Sequence, residues 1–304
     1  MNPFDIQVNG YAGTDFCSPG LSVEDLHSAC VALETDGFDS ILATIITDSL
    51  DRLLLKVANL VHLREKDPLA QKMIAGIHVE GPFLNPAPGY IGAHDAEYVK
   101  LANVDDAKRM LDVGKGLVRL VTLAPEMDPY FETTRFLKGE GIVVSAGHCN
   151  PSLEQLKGAI DNGLSMVTHL GNGCPVELPR HDNVVQRFLH FREQLWICFI
   201  PDGHHINFYS LKNYLDLVGV ERAIMVTDAI SAARLGPGLH RLSGFEVEVD
   251  DEGVARRPGS ANLAGSTLTM ARLRRNLREQ LGLSDADIQQ LIDTNPRKAL
   301  GLNT

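Results

Sequence analysis

The sequence has 304 residues, is 44% hydrophobic and carries a net charge of −11. That length suits one large α/β barrel or two average domains. With no basic stripe to neutralise phosphates and no apolar run long enough to span a bilayer, the composition excludes a nucleic-acid role and a membrane span.

In chain order, Met1-Asn-Pro-Phe-Asp5 enters a strand at Phe4–Val8 without the charged and apolar regions of a signal peptide. Ser22 caps a helix running to about Glu34, with Asp25 in the N3 position. A strand at residues 40–44 precedes helical spacing from Leu50 to Arg64. The third strand, residues 73–79, is an apolar run that ends in Glu80 and breaks at Gly81-Pro82, and a long Pro/Gly loop follows at residues 85–98. Strands at 117–123 and 142–145 come next, then a Ser152-capped helix through Leu153, Leu156 and Ile160, then a strand at 165–168. Strands at 195–200 and 223–227 complete eight, the number a closed (β/α)8 TIM-type barrel requires. Residues 236–262 read as an excursion containing a hairpin: 245–249, a turn at 250–253, then 254–256. Arg272 to Arg278, interleaved with Leu273, Leu277 and Leu281, reads as the solvated face of a helix. Ser284 starts a late helix through Ile288 and Leu291. The alternation of strand and helix, with no repeat or linker, predicts one α/β domain over residues 1–304. Five scattered cysteines without a Cys-x-x-Cys pair fit reduced, buried thiols in a cytoplasmic protein.

Chemistry-bearing residues recur where predicted strands end. Glu80 follows the third, His148 the fifth, His169 the sixth, and Asp228 the eighth. Such tips converge at one end of a barrel. Two imidazoles and one carboxylate, with a position left open for water, suit zinc, and also iron or manganese. Asp228 beside that water can take a proton and later hand it to a leaving group. A lone His after a strand is more often a hydrogen-bonded structural residue than a ligand, and Asp228 is as readily a helix N-cap; the joint pattern favours a site. His27, His62, His181, His190 and His240 fall in helical or loop settings and read as surface or satisfied residues.

The motifs around these positions are Asp5-Ile-Gln-Val-Asn-Gly10, His78-Val-Glu-Gly-Pro-Phe83, Ser145-Ala-Gly-His148, Thr168-His-Leu170, Asp202-Gly-His-His205, Val226-Thr-Asp-Ala229, Leu263-Ala-Gly-Ser-Thr-Leu-Thr-Met270 and Asn295-Pro-Arg-Lys-Ala-Leu-Gly301. They run from end to end, and in this order the chain resembles the N-acetylglucosamine-6-phosphate deacetylases of the amidohydrolase superfamily. The resemblance implies Glu80, His148 and His169 as ligands of a divalent metal, zinc first, with Fe2+, Mn2+ or Co2+ as alternatives. It implies Asp228 as general base and acid, and His205 as the contact to the acetyl carbonyl or its oxyanion. It also implies His94 as a sugar-hydroxyl contact, Asn172 and the Gly173 amide as phosphate contacts, and Arg180 as a residue reaching the neighbouring subunit's substrate, hence a homodimer. Gln7 and Asn9 stand where many amidohydrolases carry His-x-His. Amides are poor ligands beside imidazoles, so the second metal position is vestigial and one catalytic metal is expected.

The sequence departs from the family twice. Only four residues precede Asp5 and three follow Gly301, so a barrel without the family's small β-sandwich is expected. After Thr-His-Leu the family commonly has an aromatic and Asn-Ala-Met, where this chain reads Gly171-Asn-Gly-Cys174. The usual Gly-Arg-Glu-Pro-Gly-like stretch is replaced by Pro179-Arg-His-Asp182. The resemblance thus implies a small-molecule amino-sugar substrate and metal-dependent hydrolysis of the acetamide of N-acetylglucosamine 6-phosphate. The altered loop keeps open another N-acyl substrate, an unphosphorylated amino sugar or an N-acyl amino acid. A non-catalytic sugar-binding barrel is the third reading.

Overall fold

The computed structural model describes residues 2–260 and 262–302. Eight parallel strands form one sheet in sequential order: β1 (Phe4–Val8), β2 (Ser40–Ile46), β3 (Ile74–Glu80), β4 (Val118–Leu123), β5 (Val143–Ala146), β6 (Leu164–Val167), β7 (Trp196–Phe199) and β8 (Ala223–Met225). The fold is a (β/α)8 barrel. All seven residues of β2 and all four of β7 are buried. Helices cover the outer face while the inner face is filled, so these strands are continuous apolar runs and not alternating ones.

The seam between β8 and β1 is closed largely by side chains. The Asp5 carboxylate accepts from Thr227 N at 2.9 Å and from Gln7 N at 3.0 Å. A single bridge joins Val8 to Ala229, with Asn9 N donating to Ala229 O at 2.7 Å. Residue 227, expected within the eighth strand, lies beyond it because its N–H goes to Asp5 instead of a neighbouring strand. Asn295, from the last helix (Asn295–Ala299), adds bonds to Val220 O and Ala223 O, both at 2.7 Å.

Ser22, Ser152 and Ser284 each form a capping box, with Asp25, Gln155 and Asp287. Helices at Val104–Gly114, Val184–His190 and Phe208–Val218, which the sequence reading did not name, are capped by Asn103, Asn183 and Asn207. The predicted hairpin is present as Phe245–Val249 and Ala255–Arg256. A third strand, Gly238–Leu242, pairs antiparallel with the first of these. It is mostly exposed and its Gly-Leu-His-Arg-Leu composition carries no alternation, which is why its sequence reads as loop. On the helix Met270–Glu279, Leu273 and Leu277 are buried as the basic run predicts. Among the described residues there is no two-sheet β-sandwich.

Candidate active site

Glu80, His148 and His169 meet at the C-terminal end of the barrel, with ligand-capable atoms all within 4.8 Å of one another. Glu80 is the last residue of β3, and the histidines sit two residues beyond β5 and β6. Glu80 Oε1 lies 3.1 Å from His169 Nε2 and 3.3 Å from His148 Nε2. His148, His169 and Asp228 all have positive φ, at 50°, 33° and 51°. This conformation is uncommon for residues with a Cβ and turns each side chain sharply off its strand. Asp228 opens no helix, which removes the N-cap reading.

The donor set fits a cation. His148 Nδ1 lies 2.8 Å from Tyr90 O, and only an N–H can bond to a carbonyl, so in the neutral ring it is the Nε2 lone pair that faces the Glu80 carboxylate. Two acceptors opposed at that distance repel unless a proton or a cation lies between them. Ligating histidines commonly anchor their other nitrogen on a carbonyl in this way. His169 Nε2 faces the same oxygen of Glu80 at 3.1 Å, and its Nδ1 is buried without a hydrogen-bond partner. These three residues therefore form a candidate site for a divalent metal.

Burial works against a charged Glu80, but hydrogen bonds with His148 and His169 hold its carboxyl well below the usual range. Burial lowers His169, and the bond to Glu80 overcomes this and raises it. Asp228 is raised to about 6, first by burial and then by the Glu80 charge. Gln7 and Asn9 prove to be hydrogen-bond donors to the two carboxylates: Gln7 Nε2 to Glu80 Oε2 at 3.2 Å, and Asn9 Nδ2 to Asp228 Oδ1 at 2.7 Å.

His205 Nδ1 is 2.7 Å from Asp202 Oδ2, and Asp202 Oδ1 also accepts from the backbone of His204 and His205. His94 Nε2 lies 3.2 Å from His148 Nε2, and its Nδ1 lies 2.9 Å from Thr47 Oγ1. Burial and His148 push its pKa down to about 3, so it is neutral. Asn172 Nδ2 donates to His169 O at 3.2 Å. Gly173 and Gly92 press on the His148 ring from two loops; a Cβ on either would come within 2.8 Å of it. Arg180 is exposed and stands apart from the small cavity around His148, Asn172 and Gly173.

The sequence reading missed Tyr90 and Thr47, and it quoted Asp202 within the motif around His205 without giving it a role. It also missed a buried chain beneath the ligands. His78 Nε2 bonds Thr122 Oγ1, Thr122 bonds Thr168 Oγ1, and Thr168 bonds Ser145 Oγ, each at 2.7 Å. Polar residues inside otherwise apolar strands were the signal for it. Burial holds His78 down near 4, so the chain is uncharged at neutral pH.

The chain is 31% identical over 300 residues to the N-acetylglucosamine-6-phosphate deacetylase of Bacillus subtilis, covering 98% of this chain and 74% of that one. It is 28% identical over 303 residues to the N-acetylgalactosamine-6-phosphate deacetylase of Escherichia coli O157:H7, covering 98% and 77%. The N-acetyl-D-glucosamine-6-phosphate deacetylase of Mycobacterium smegmatis, solved in complex with N-acetyl-D-glucosamine-6-phosphate, matches with a TM-score of 0.88 and 29% identity. That match covers 99% of this chain and 77% of that one. No protein-family model matches the chain.

Proposed function

Because the chain belongs to the N-acetylglucosamine-6-phosphate deacetylase family, we propose that it hydrolyses the acetamide of N-acetylglucosamine 6-phosphate to glucosamine 6-phosphate and acetate. Glu80, His148 and His169 would hold one divalent ion, zinc first, with Fe2+, Mn2+ or Co2+ also suiting the donors, and when bound it would acidify water and polarise the acetyl carbonyl. The rest falls to the side chains. Asp228 takes a proton from the attacking water and delivers it to the nitrogen of the departing amine. A carboxylate in its ordinary range would hold that proton too weakly; burial brings Asp228 to about 6, where it can do both. Asn9 fixes the carboxylate through one oxygen. His205, with its ring oriented by Asp202, contacts the acetyl oxygen through Nε2. His94 Nε2 contacts a sugar hydroxyl once His148 Nε2 serves as a ligand.

In this reading Asn172 and the Gly173 amide contact the phosphate, and Arg180 reaches the substrate of the second subunit in a homodimer. The barrel and its excursion act as one catalytic domain. A cytoplasmic location accords with five unbridged cysteines.

The observation that carries this reading is the convergence of Glu80, His148 and His169 next to a buried Asp228 of raised pKa. The altered loop at residues 171–182 favours, as a second reading, a deacylase of an unphosphorylated amino sugar or an N-acyl amino acid. Acetate release from N-acetylglucosamine 6-phosphate, its galactosamine epimer and N-acetylglucosamine tests this, with zinc-loaded protein and a chelated control. Metal-dependent release preferring a phosphorylated sugar supports the proposal. Release from the unphosphorylated sugar alone selects the second reading, and no release from any of the three refutes the deacetylase assignment.

A further inference from the structure

A cavity of about 650 Å³ opens beside the candidate metal ligands, one imidazole away from them. His94 forms part of its wall, and the same ring places Nε2 3.2 Å from His148 Nε2. The volume lies in the range of small-molecule sites. A substrate with its acetamide at Glu80, His148 and His169 and a hydroxyl on His94 reaches the edge of this cavity and stops there.

Three cations, Arg52, Lys56 and Arg257, share the lining with two carboxylates, Asp48 and Asp95, which leaves one positive charge over in a chain of net charge −11. Two of the cations are engaged. Lys56 is buried, 2.7 Å from Asp48 and 3.0 Å from Ser243 Oγ. Arg52 lies 2.6 Å from the same Asp48 and packs over the Tyr98 ring. Arg257 lies over the Phe245 ring, 3.8 Å from its centroid, and its Nε is buried with no hydrogen-bond partner among the described residues. Buried donors are nearly always satisfied, so one left over beside a cavity points to an acceptor that enters it. A guanidinium held against an aromatic ring suits the two oxygens of a carboxylate. A carboxylate also balances the single surplus charge, which a phosphate dianion would overshoot.

The place of the cavity selects where on the sugar that carboxylate sits. Ile46, Thr47 and Asp48 line it at the tip of β2, whereas the loop at residues 171–182 follows β6. Four places apart among eight strands, β2 and β6 face each other across the barrel axis. The 6-phosphate therefore stays with the loop, and the cavity takes a group from another carbon. Next to a metal ligand, His94 meets a hydroxyl on a neighbour of the carbon that bears the acetamide, C1 or C3. The C3 hydroxyl has one configuration, while the anomeric hydroxyl of a free sugar interconverts, so a fixed counter-charge matches C3.

We propose that the protein takes as substrate N-acetylglucosamine 6-phosphate bearing a carboxylate-ended ether on its 3-hydroxyl, with the ether in this cavity and its carboxylate on Arg257. This rests on the deacetylase reading and widens the substrate class of the same site. The reaction remains amide hydrolysis: water adds to the acetyl carbon, the C–N bond breaks, acetate and the amine leave, and the ether stays intact.

The test measures kcat/KM for acetate release by zinc-loaded protein from N-acetylglucosamine 6-phosphate, its 3-O-carboxyethyl ether and its uncharged 3-O-propyl ether. Wild-type protein should hydrolyse the acidic ether about tenfold better than the neutral one, and Arg257→Gln should erase that preference, the loss expected for a charge-assisted hydrogen bond. Arg257→Met replaces the glutamine variant if that one does not fold. No preference in the wild type, or a preference that survives in the variant, overturns the proposal. Acetate from the plain sugar phosphate with neither ether hydrolysed overturns it too, and leaves the deacetylase reading standing. If no acetate comes from any of the three, the deacetylase reading has failed and calorimetric binding of the acidic ether tests the cavity alone. About tenfold weaker binding to Arg257→Gln supports the cavity, and equal binding refutes it.

Discussion

In the proposed mechanism Asp228 changes protonation state twice in one turnover, so its environment matters as much as its position. Burial and the Glu80 charge raise it to about 6, while Asn9 holds one oxygen. As a base it works only when ionised, so kcat/KM rises with pH through its pKa. A cation at the neighbouring ligands pulls that pKa down, which puts the acidic limb at or below about pH 6. Asp228→Asn should lose this limb and about 10²–10⁴-fold in kcat, with metal content and Tm near wild type. A variant that kept most of its turnover would remove Asp228 from the proton path. Gln7 matters through Glu80: Gln7→Leu strips the donor from Glu80 Oε2 and leaves that oxygen buried and unanswered. Zinc affinity, measured by competition with a chromophoric chelator, should weaken about 10- to 100-fold. Unchanged affinity would leave Gln7 without a role in holding the carboxylate.

Loops rather than strands set the His148 ring. Tyr90 O takes its Nδ1 proton, and Gly92 and Gly173, with φ of 60° and 61°, close on the imidazole from two separate loops. Gly173→Ala would place a Cβ 2.8 Å from His148 Nδ1. Metal affinity should fall by about tenfold, because the ring must turn away from its carbonyl anchor. Gly116 is the control. Its φ is also positive, at 78°, but nothing lies within 4 Å of the added Cβ. Gly116→Ala should cost about 1 kcal/mol of stability from backbone strain alone and leave metal binding untouched. Equal metal affinity in both variants would show that the loops do not position His148.

At the scale of the molecule, the seam between the first and last strands depends on one buried carboxylate. Burial lifts Asp5 from 3.8 to about 7, against the hydrogen bonds that hold it. A folded-state pKa above the unfolded one means the folded protein retains the proton longer. The stability Asp5 contributes is full below pH 3.8 and is lost as pH rises to about 7. Asp228 and Asp15, both raised to about 6 by burial, slope the same way. The difference in Tm between wild type and Asp5→Asn isolates the seam: it should favour wild type most at low pH and shrink as pH approaches 7. A difference independent of pH would show that Asp5 does not titrate with folding. Chelation should abolish acetate release and lower Tm, since an ion bound only by the folded barrel stabilises it.

Element identity was legible in the sequence wherever the cause was local. Apolar runs marked all eight barrel strands because these strands are buried on both faces. Serine boxes marked three helix starts, and a carboxylate and two imidazoles at strand ends marked the candidate metal cluster. The three Asn-capped helices carried the same kind of signal in a weaker form. What the tertiary structure alone decided depends on residues far apart in the chain. Asn9 reaches Asp228 across 219 positions and Gln7 reaches Glu80 across 73, and each donates to a carboxylate there. The cavity that Arg257 lines was invisible too, because a space between the β2 tip, the loop at 85–98 and the excursion exists only once those three segments are packed together. Local pattern specifies an element through its own hydrogen bonds and its own buried face. A site is a relation among elements, and its geometry comes from their closure into a barrel.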